Sequence, residues 1–188
     1  MRIIGGIYKG IKIFESIDKN TRPLKDLVKE SILNILEYSK DSRLNLNNSL
    51  VLDLFSGTGS FGLECISRGA SKVYFIENYE NSLEILYKNI KKLKCEKKTR
   101  VFNGDAFNFL KNEEIIRQKI DLIFLDPPYK EKNIKIILEN IAKLKLLNKS
   151  GLIVLHRHKK TKDDISYKFK IVRSVKYGIS KIIFLKIN

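Results

Sequence analysis

The sequence predicts an α/β domain: a mostly parallel sheet wound on both faces by helices, with an antiparallel last strand and a small basic extension in front. Three observations predict it. From Ser49 onward, short β-rich apolar runs alternate with stretches of helical periodicity, the pattern of a parallel sheet covered by helices. The first of those runs passes directly into a glycine-rich turn that opens a helix. The chain has 188 residues and is 43% hydrophobic, enough for one core, so a disordered polycation is excluded.

Taken in order, residues 1–14 hold two short β-forming stretches, RII and IKIF, around Gly5-Gly6 and Gly10, and predict a hairpin. Thr21 and Pro23 open a helical stretch. In it Leu24, Leu27, Val28, Ser31, Ile32, Ile35 and Leu36 recur at the spacing of one buried face, with Lys25, Lys29 and Glu30 on the other. The main domain then runs LVLDLF, a helix from Ser60, KVYFIE, a helix through Glu80–Leu93, TRVFN, a short helix after Asp105, and IDLIFLD. A helix around Ile134–Leu147 leads to the strand GLIVLH, and SYKFKIVRSVKY and KIIFLKI, joined through Gly178, close the sheet as an antiparallel pair. The change of texture divides a hairpin-plus-helix extension, 1–48, that packs on the core from the α/β domain proper, 49–188.

The 37 Lys and Arg against 21 Asp and Glu leave a net charge of +16. Such a field selects a polyanionic partner, most simply nucleic acid, bound with a steep salt dependence. No apolar run nears the roughly 20 residues of a membrane-spanning helix. The start, MRIIGGIYKG, lacks a signal peptide's apolar region, so a cytoplasmic protein is expected. Cys65 and Cys95 have no CxxC spacing and read as core or surface thiols. His156 and His158 have no adjacent carboxylate or thiol, so no metal site is expected. With no extra dimerisation segment, a monomer is expected.

After LVLDLF the chain reads Ser56-Gly57-Thr58-Gly59-Ser60-Phe61-Gly62, formally G-x-G-x-x-G, and Glu77 ends the next strand 20 positions beyond Gly57. The glycines allow a tight turn and a close approach of ligand to backbone. A carboxylate ending the second strand can accept hydrogen bonds from both ribose hydroxyls. Together they signal an adenosine-containing cofactor without saying which. Asp53, four residues before Gly57, favours S-adenosylmethionine. A carboxylate there repels a dinucleotide's pyrophosphate and attracts an ammonium and a sulfonium. The plainer alternative is a strand-to-helix turn with Asp53 as a cap. Asp105, in Asn103-Gly104-Asp105-Ala106-Phe107, suits an N-cap. It also suits a hydrogen bond to the adenine amino group, with the Ala106 N–H reaching a ring nitrogen.

IDLIFLD ends in Asp126-Pro127-Pro128-Tyr129, at the strand end where ligands sit in open α/β sheets. Prolines donate no amide hydrogen, so a stiff backbone can aim their carbonyls at a substrate. An exocyclic amino group on a base offers two hydrogens, which Asp126 and the Pro127 carbonyl can hold while Tyr129 stacks on the base. Displacement on a sulfonium then needs mainly alignment. Carbon-5 methylation of a pyrimidine needs a nucleophilic cysteine, and neither cysteine lies beside these motifs. The catalytic candidates are Asp126, Pro127, Pro128 and Tyr129. The cofactor candidates are Asp53, Phe55, Ser56, Gly57, Thr58, Gly59, Glu77, Asn78, Asp105, Ala106 and Asp126.

MRIIGGIYKGIKI, TRPLKDLVKESILNIL, LDLFSGTGSFGLECISRGA, FIE, GDAF and FLDPPY together resemble the RsmD family of bacterial 16S ribosomal RNA guanine-N2 methyltransferases, over essentially the whole chain. RIIGG with the following K-G, and the R-P some twenty residues later, are the specific part. The resemblance implies a Rossmann-like class I S-adenosylmethionine-dependent methyltransferase fold. It also implies methylation of the N2 amino group of one guanine, position 966 of 16S rRNA, in the small ribosomal subunit or an assembly intermediate. Carried over, it places Asp53, Gly57, Gly59, Glu77, Asp105 and Asp126 around the cofactor, and Asp126 to Tyr129 around a flipped base. Arg2, Arg22 and the neighbouring Lys9, Lys12, Lys25 and Lys29 would meet RNA. Three places depart from the family pattern: Leu24 stands for Thr, Asp26-Leu27-Val28-Lys29-Glu30 for D-R-V-R-E, and Leu155-His156-Arg157 where a Glu is usual.

Two other classes fit parts of the pattern. A DNA adenine-N6 methyltransferase shares the amino-group chemistry but needs a target-recognition region, for which only about fifty N-terminal residues remain. A catalytically inactive RNA-binding module leaves the complete set Asp53, Glu77, Asp105 and DPPY unexplained.

Overall fold

The computed structural model describes residues 1–16, 24–108 and 112–188. Strands β1 (Leu50–Leu54), β2 (Lys72–Glu77), β3 (Thr99–Asn103), β4 (Ile120–Leu125), β5 (Leu147–His158), β6 (Phe169–Tyr177) and β7 (Ser180–Ile187) form one sheet in the order β3-β2-β1-β4-β5-β7-β6. β1 to β5 pair in parallel, and β7 lies between β5 and β6, antiparallel to both. This is the α/β sheet the sequence predicts, with its antiparallel last strand.

Alternate strand residues fill opposite faces, Val51, Phe75, Phe124 and Val154 on one, Leu52, Ile76, Leu125 and Leu155 on the other. Both faces are covered, so the central strands read as continuous apolar runs. Helices α1 (Asp26–Tyr38), α2 (Ser60–Ser67) and α3 (Glu80–Leu93) cover the first face together with the N-terminal segment. The short α4 (Glu113–Ile116) and α5 (Ile134–Lys143) cover the second. No helix among the described residues is long and apolar enough to cross a membrane.

The expected hairpin pairs more sparingly than two regular strands. Arg2 and Lys12 form a single antiparallel bridge, flanked by Ile3 N–H to Ile11 O at 3.0 Å and Ile13 N–H to Met1 O at 3.1 Å, with a 3-10 turn, Gly6–Tyr8, at the apex. The turn presses on α2. Gly6 has φ +73° and a Cβ there would stand 1.9 Å from the Ser67 carbonyl oxygen, so only glycine fits.

A buried carboxylate locks this contact. Glu64 of α2 accepts from Ile4 N–H (2.8 Å) and Gly5 N–H (2.7 Å), and pairs with Arg68 Nε at 3.1 Å and Lys29 Nζ at 3.6 Å. This overturns the reading of Lys29 as an RNA contact. Its side chain is wholly buried, it donates to the Arg2 carbonyl at 2.9 Å, and it also lies 3.7 Å from Asp26. The buried face of α1 is rotated accordingly. Leu27 is 69% exposed and Ser31 half-buried, while Leu33 joins Val28, Ile32 and Leu36 in the core. Helical spacing alone admits either stripe, and Glu64, remote in sequence, selects the one that brings Lys29 inward.

Three boundaries also shift. The helix expected around Ile134–Leu147 ends at Lys143, and β5 already begins at Leu147, four residues before Gly151. α1 starts at Asp26, while Thr21, Arg22 and Pro23 lie outside the described residues. Instead of a helix directly after Asp105 there is a turn over 106–108, and α4 starts at Glu113, capped by the Asn112 side chain accepting Glu114 N–H at 2.9 Å.

Candidate active site

The strand order reverses between β1 and β4, and open α/β sheets bind ligands in the crevice beyond such a point. The two sequence motifs emerge there side by side, joined by Asp126 N–H to the Leu54 carbonyl at 3.3 Å.

The loop after β1 is held in left-handed conformations at Phe55 (φ +61°), Gly57 (φ +53°) and Gly59 (φ +82°). At Phe55, a residue with a large side chain, this carries backbone strain of the kind that gathers at binding sites. Glu77 organises the turn: one oxygen accepts Gly57 N–H at 2.7 Å, the other Asn78 N–H at 3.0 Å and Tyr79 N–H at 2.8 Å. A Cβ on Gly57 would meet nothing, so this stretch of backbone is open to a ligand. Gly59 and Gly62 serve packing instead. A Cβ on Gly59 would come within 2.3 Å of Leu86, and one on Gly62 within 2.3 Å of the Phe75 ring.

Asp53 accepts Gly62 N–H at 2.9 Å through Oδ2, while its buried Oδ1 has no hydrogen-bond partner among the described residues. Burial pushes this carboxyl well above the usual carboxylate range. The Gly62 hydrogen bond opposes the shift, and the charges of Asp126 and Glu77 reinforce it. A buried acceptor beside two further carboxylates is the complement of a cationic ligand group.

After β4, Asp126 meets Nδ1 of His156 at 2.8 Å. The Pro128 carbonyl turns inward, accepting from Arg157 at 3.2 Å and from Glu131 N–H at 2.9 Å. It is therefore structural rather than aimed at substrate. Arg157 is 1% exposed; it also donates to the Glu131 carbonyl at 2.5 Å and to Asp163 at 2.8 Å. Tyr129 is half-buried and packs edge-on against His156 and His158, with ring centroids 6.1 and 5.0 Å apart.

Between the two loops lies a cavity of about 270 Å³. Its walls include Asp53, Phe55, Ser56, Gly57, Thr58, Glu77 and Asn78 from the first motif, Asp126, Pro127 and Pro128 from the second, and Met1, Glu15, Ser16 and Leu24 from the N-terminal region. Gly59, Asp105, Ala106 and Tyr129 are not on these walls. Asp105 is exposed and its side chain accepts Phe107 N–H at 2.9 Å, an Asx turn rather than the predicted helix cap. Phe107 in turn meets Phe55 edge-on at 6.1 Å, so the third loop reaches the site through this aromatic contact. Of the RNA-contact candidates, Arg2, Lys9, Lys12 and Lys25 are exposed, and Arg22 lies outside the described residues.

Three residues that shape the site escaped sequence reasoning. In the sequence His156 stands out as a metal ligand without partners and, with Arg157, as a departure from the family pattern, and neither has a role at the site. The available signal was that both stand at the end of the strand expected beside β4. Asn89, fully buried on α3, accepts Phe14 N–H at 2.7 Å and donates to the carbonyls of Phe14 and Thr58 at 3.0 Å, tying the N-terminal segment to the glycine loop.

The family model described as conserved hypothetical protein 95 matches residues 1–186. The chain belongs to this family, the RsmD family. This RsmD-family chain is 35% identical to the Ribosomal RNA small subunit methyltransferase D of Haemophilus influenzae, over 74% of the chain and 72% of that protein. It is 31% identical to the protein of the same name from Escherichia coli K12, over 74% of the chain and 68% of that protein. The solved structure of Escherichia coli yhhF superposes with a TM-score of 0.80 at 25% identity, covering 100% of this chain and 97% of the other. The RsmD-family chain therefore has the Rossmann-like class I methyltransferase fold.

Proposed function

We propose that this chain is an S-adenosylmethionine-dependent rRNA methyltransferase that modifies the exocyclic N2 amino group of one guanine, position 966 of 16S rRNA. It acts as a monomer on the small ribosomal subunit or an assembly intermediate. The observation that carries the reading is that Asp53 and Glu77 share one cavity with Asp126 and Pro127 at the β1/β4 reversal. The names of the relatives support the methyl transfer and the small-subunit rRNA substrate.

The residues present fit the cofactor. Asp53 Oδ1, buried and without a partner among the described residues, suits a cationic group, and the open backbone at Gly57 suits close approach. Asp53, Glu77 and the Ser56–Thr58 backbone would hold S-adenosylmethionine, which supplies a methyl group made electrophilic by its sulfonium. Asp126 and the Pro127 carbonyl hold the two amino hydrogens of the acceptor, which orients the nitrogen lone pair toward the cofactor side of the cavity. As the nitrogen gains its new bond to carbon it sheds one proton, and the Asp126 carboxylate is the acceptor at hand. The net charge of +16 and the exposed Arg2, Lys9, Lys12 and Lys25 support an RNA partner.

The test offers labelled S-adenosylmethionine with small subunits from cells lacking the enzyme, naked 16S rRNA and duplex DNA, and maps the label by nuclease digestion and mass spectrometry. N2-methylguanine at a single site in the subunit is the expected product. Label in DNA adenine would overturn the assignment of substrate, and cofactor binding without transfer would overturn the assignment of reaction.

A further inference from the structure

His156 stands at the end of β5, opposite Ile182 of β7 in register, with its side chain 1% exposed. Its Nδ1 lies 2.8 Å from Oδ1 of Asp126, and the Tyr129 ring meets it edge-on. An ionised carboxylate only accepts, so Nδ1 carries the proton and donates it. A carboxylate's terminal torsion is a soft, broad well, so Asp126 gains a defined plane only from its partners. His156 is a partner anchored in the sheet, while Asp126 lies in the loop that follows β4.

We propose that His156 is a positioning residue for methyl transfer: its bond to Oδ1 sets the plane in which the Asp126 carboxylate meets the acceptor amino group. This rests on the reading that Asp126 holds that amino group. The expected role is in rate rather than binding. Misplacing a group that orients a reacting atom costs roughly 100-fold per ångström, and a lost hydrogen bond to a charged group is worth about 10- to 100-fold.

The test compares the full-length chain with His156→Asn and His156→Gln. An Asn side chain places its amide nitrogen near the position of Nδ1, whereas the Gln amide reaches the position of Nε2 and leaves Oδ1 without this donor. Single-turnover transfer to small subunits is measured at saturating cofactor, with cofactor and subunit affinities measured separately and melting curves checking the fold. His156→Gln is expected to slow transfer about 10- to 100-fold with both affinities within about threefold, and His156→Asn to recover to within about fivefold of wild type. His156→Leu carries the same expectation as Gln and replaces it if Gln does not fold. Equal rates for wild type and His156→Gln overturn the proposal. So do Asn and Gln variants that are folded and equally slow, or a loss of cofactor affinity matching the loss of rate. If the wild type itself transfers no methyl group, it is the functional reading that fails; transfer by the wild type with no effect of His156→Gln defeats this inference alone.

Discussion

Arg157 holds the Pro128 carbonyl at 3.2 Å, and through it the loop that carries Asp126 is tied to β5. The same guanidinium donates to the Glu131 carbonyl and pairs with Asp163, which also lies 3.4 Å from Lys181 of β7. A planar group with five donors suits this task, because one buried side chain satisfies two main-chain carbonyls and a carboxylate at once. The stiffness of the Asp-Pro-Pro-Tyr turn is thus shared between its own rings and a strand thirty residues on.

Arg157→Met keeps the apolar stem and removes the donors. It should lower unfolding stability by about 3 kcal/mol, since the Pro128 and Glu131 carbonyls and the Asp163 carboxylate all lose the guanidinium at once. It should also reduce turnover more than cofactor affinity. Denaturant unfolding and cofactor titration of the same preparation check both; wild-type stability in the variant would show that the clamp contributes nothing.

Asp126→Ala should abolish turnover, leaving less than about 1% of the rate, while cofactor affinity stays within about threefold. Calorimetric titration alongside the transfer assay separates the two. A collapse of cofactor affinity with little change in turnover would reverse the role given to this residue.

Asp53 supplies a pH test. Burial raises its folded pKa above the ordinary 3.8, so between these two values the folded state binds more protons than the unfolded one. Its contribution to stability therefore falls as pH rises through that window and levels off above the folded pKa. Asp53→Asn removes the penalty. The ligand-free variant should melt higher than wild type near neutral pH, and no higher below the ordinary carboxylate range. It should also bind S-adenosylmethionine at least about tenfold more weakly, having lost the charge that meets the cation. Melting curves against pH, with cofactor titrations at one pH, read both effects, and a variant that melts lower at neutral pH would contradict the assigned shift.

Lys29 and the exposed lysines should separate cleanly. Lys29→Met breaks a buried ion pair and should cost about 3 kcal/mol, yet leave the slope of log affinity for RNA against log salt unchanged. Lys12→Ala and Lys25→Ala should be neutral in stability to within about 0.5 kcal/mol and each reduce that slope by about 0.7 to 0.9. Binding isotherms at several salt concentrations make the comparison, and an equal drop in slope for Lys29→Met would put that lysine on the RNA after all.

The strands and the first two loops were legible because their signals are local. A run such as LVLDLF is apolar at every position, Gly57 is demanded by a positive φ, and a carboxylate ending the second strand lies a fixed number of residues beyond the turn. Spacing along one chain captures all of these. The inward face of α1 was not legible, because helical periodicity ranked Leu27 above Lys29 and only the buried carboxylate of Glu64, thirty-five positions away, reverses that order.

By itself, then, the sequence determined the α/β alternation, the glycine turn, the acidic cofactor side and the Asp-Pro-Pro-Tyr turn, and these motifs carried the family resemblance. Only the tertiary structure decided that His156 faces Asp126, that Arg157 and Asn89 brace the two loops, and that Lys29 is a core ion-pair partner rather than a surface charge. The physical reason is the same for all four. Each is a polar side chain whose place depends on desolvation offset by a partner distant in sequence, and that partner becomes a neighbour only when parallel strands and their crossovers are assembled.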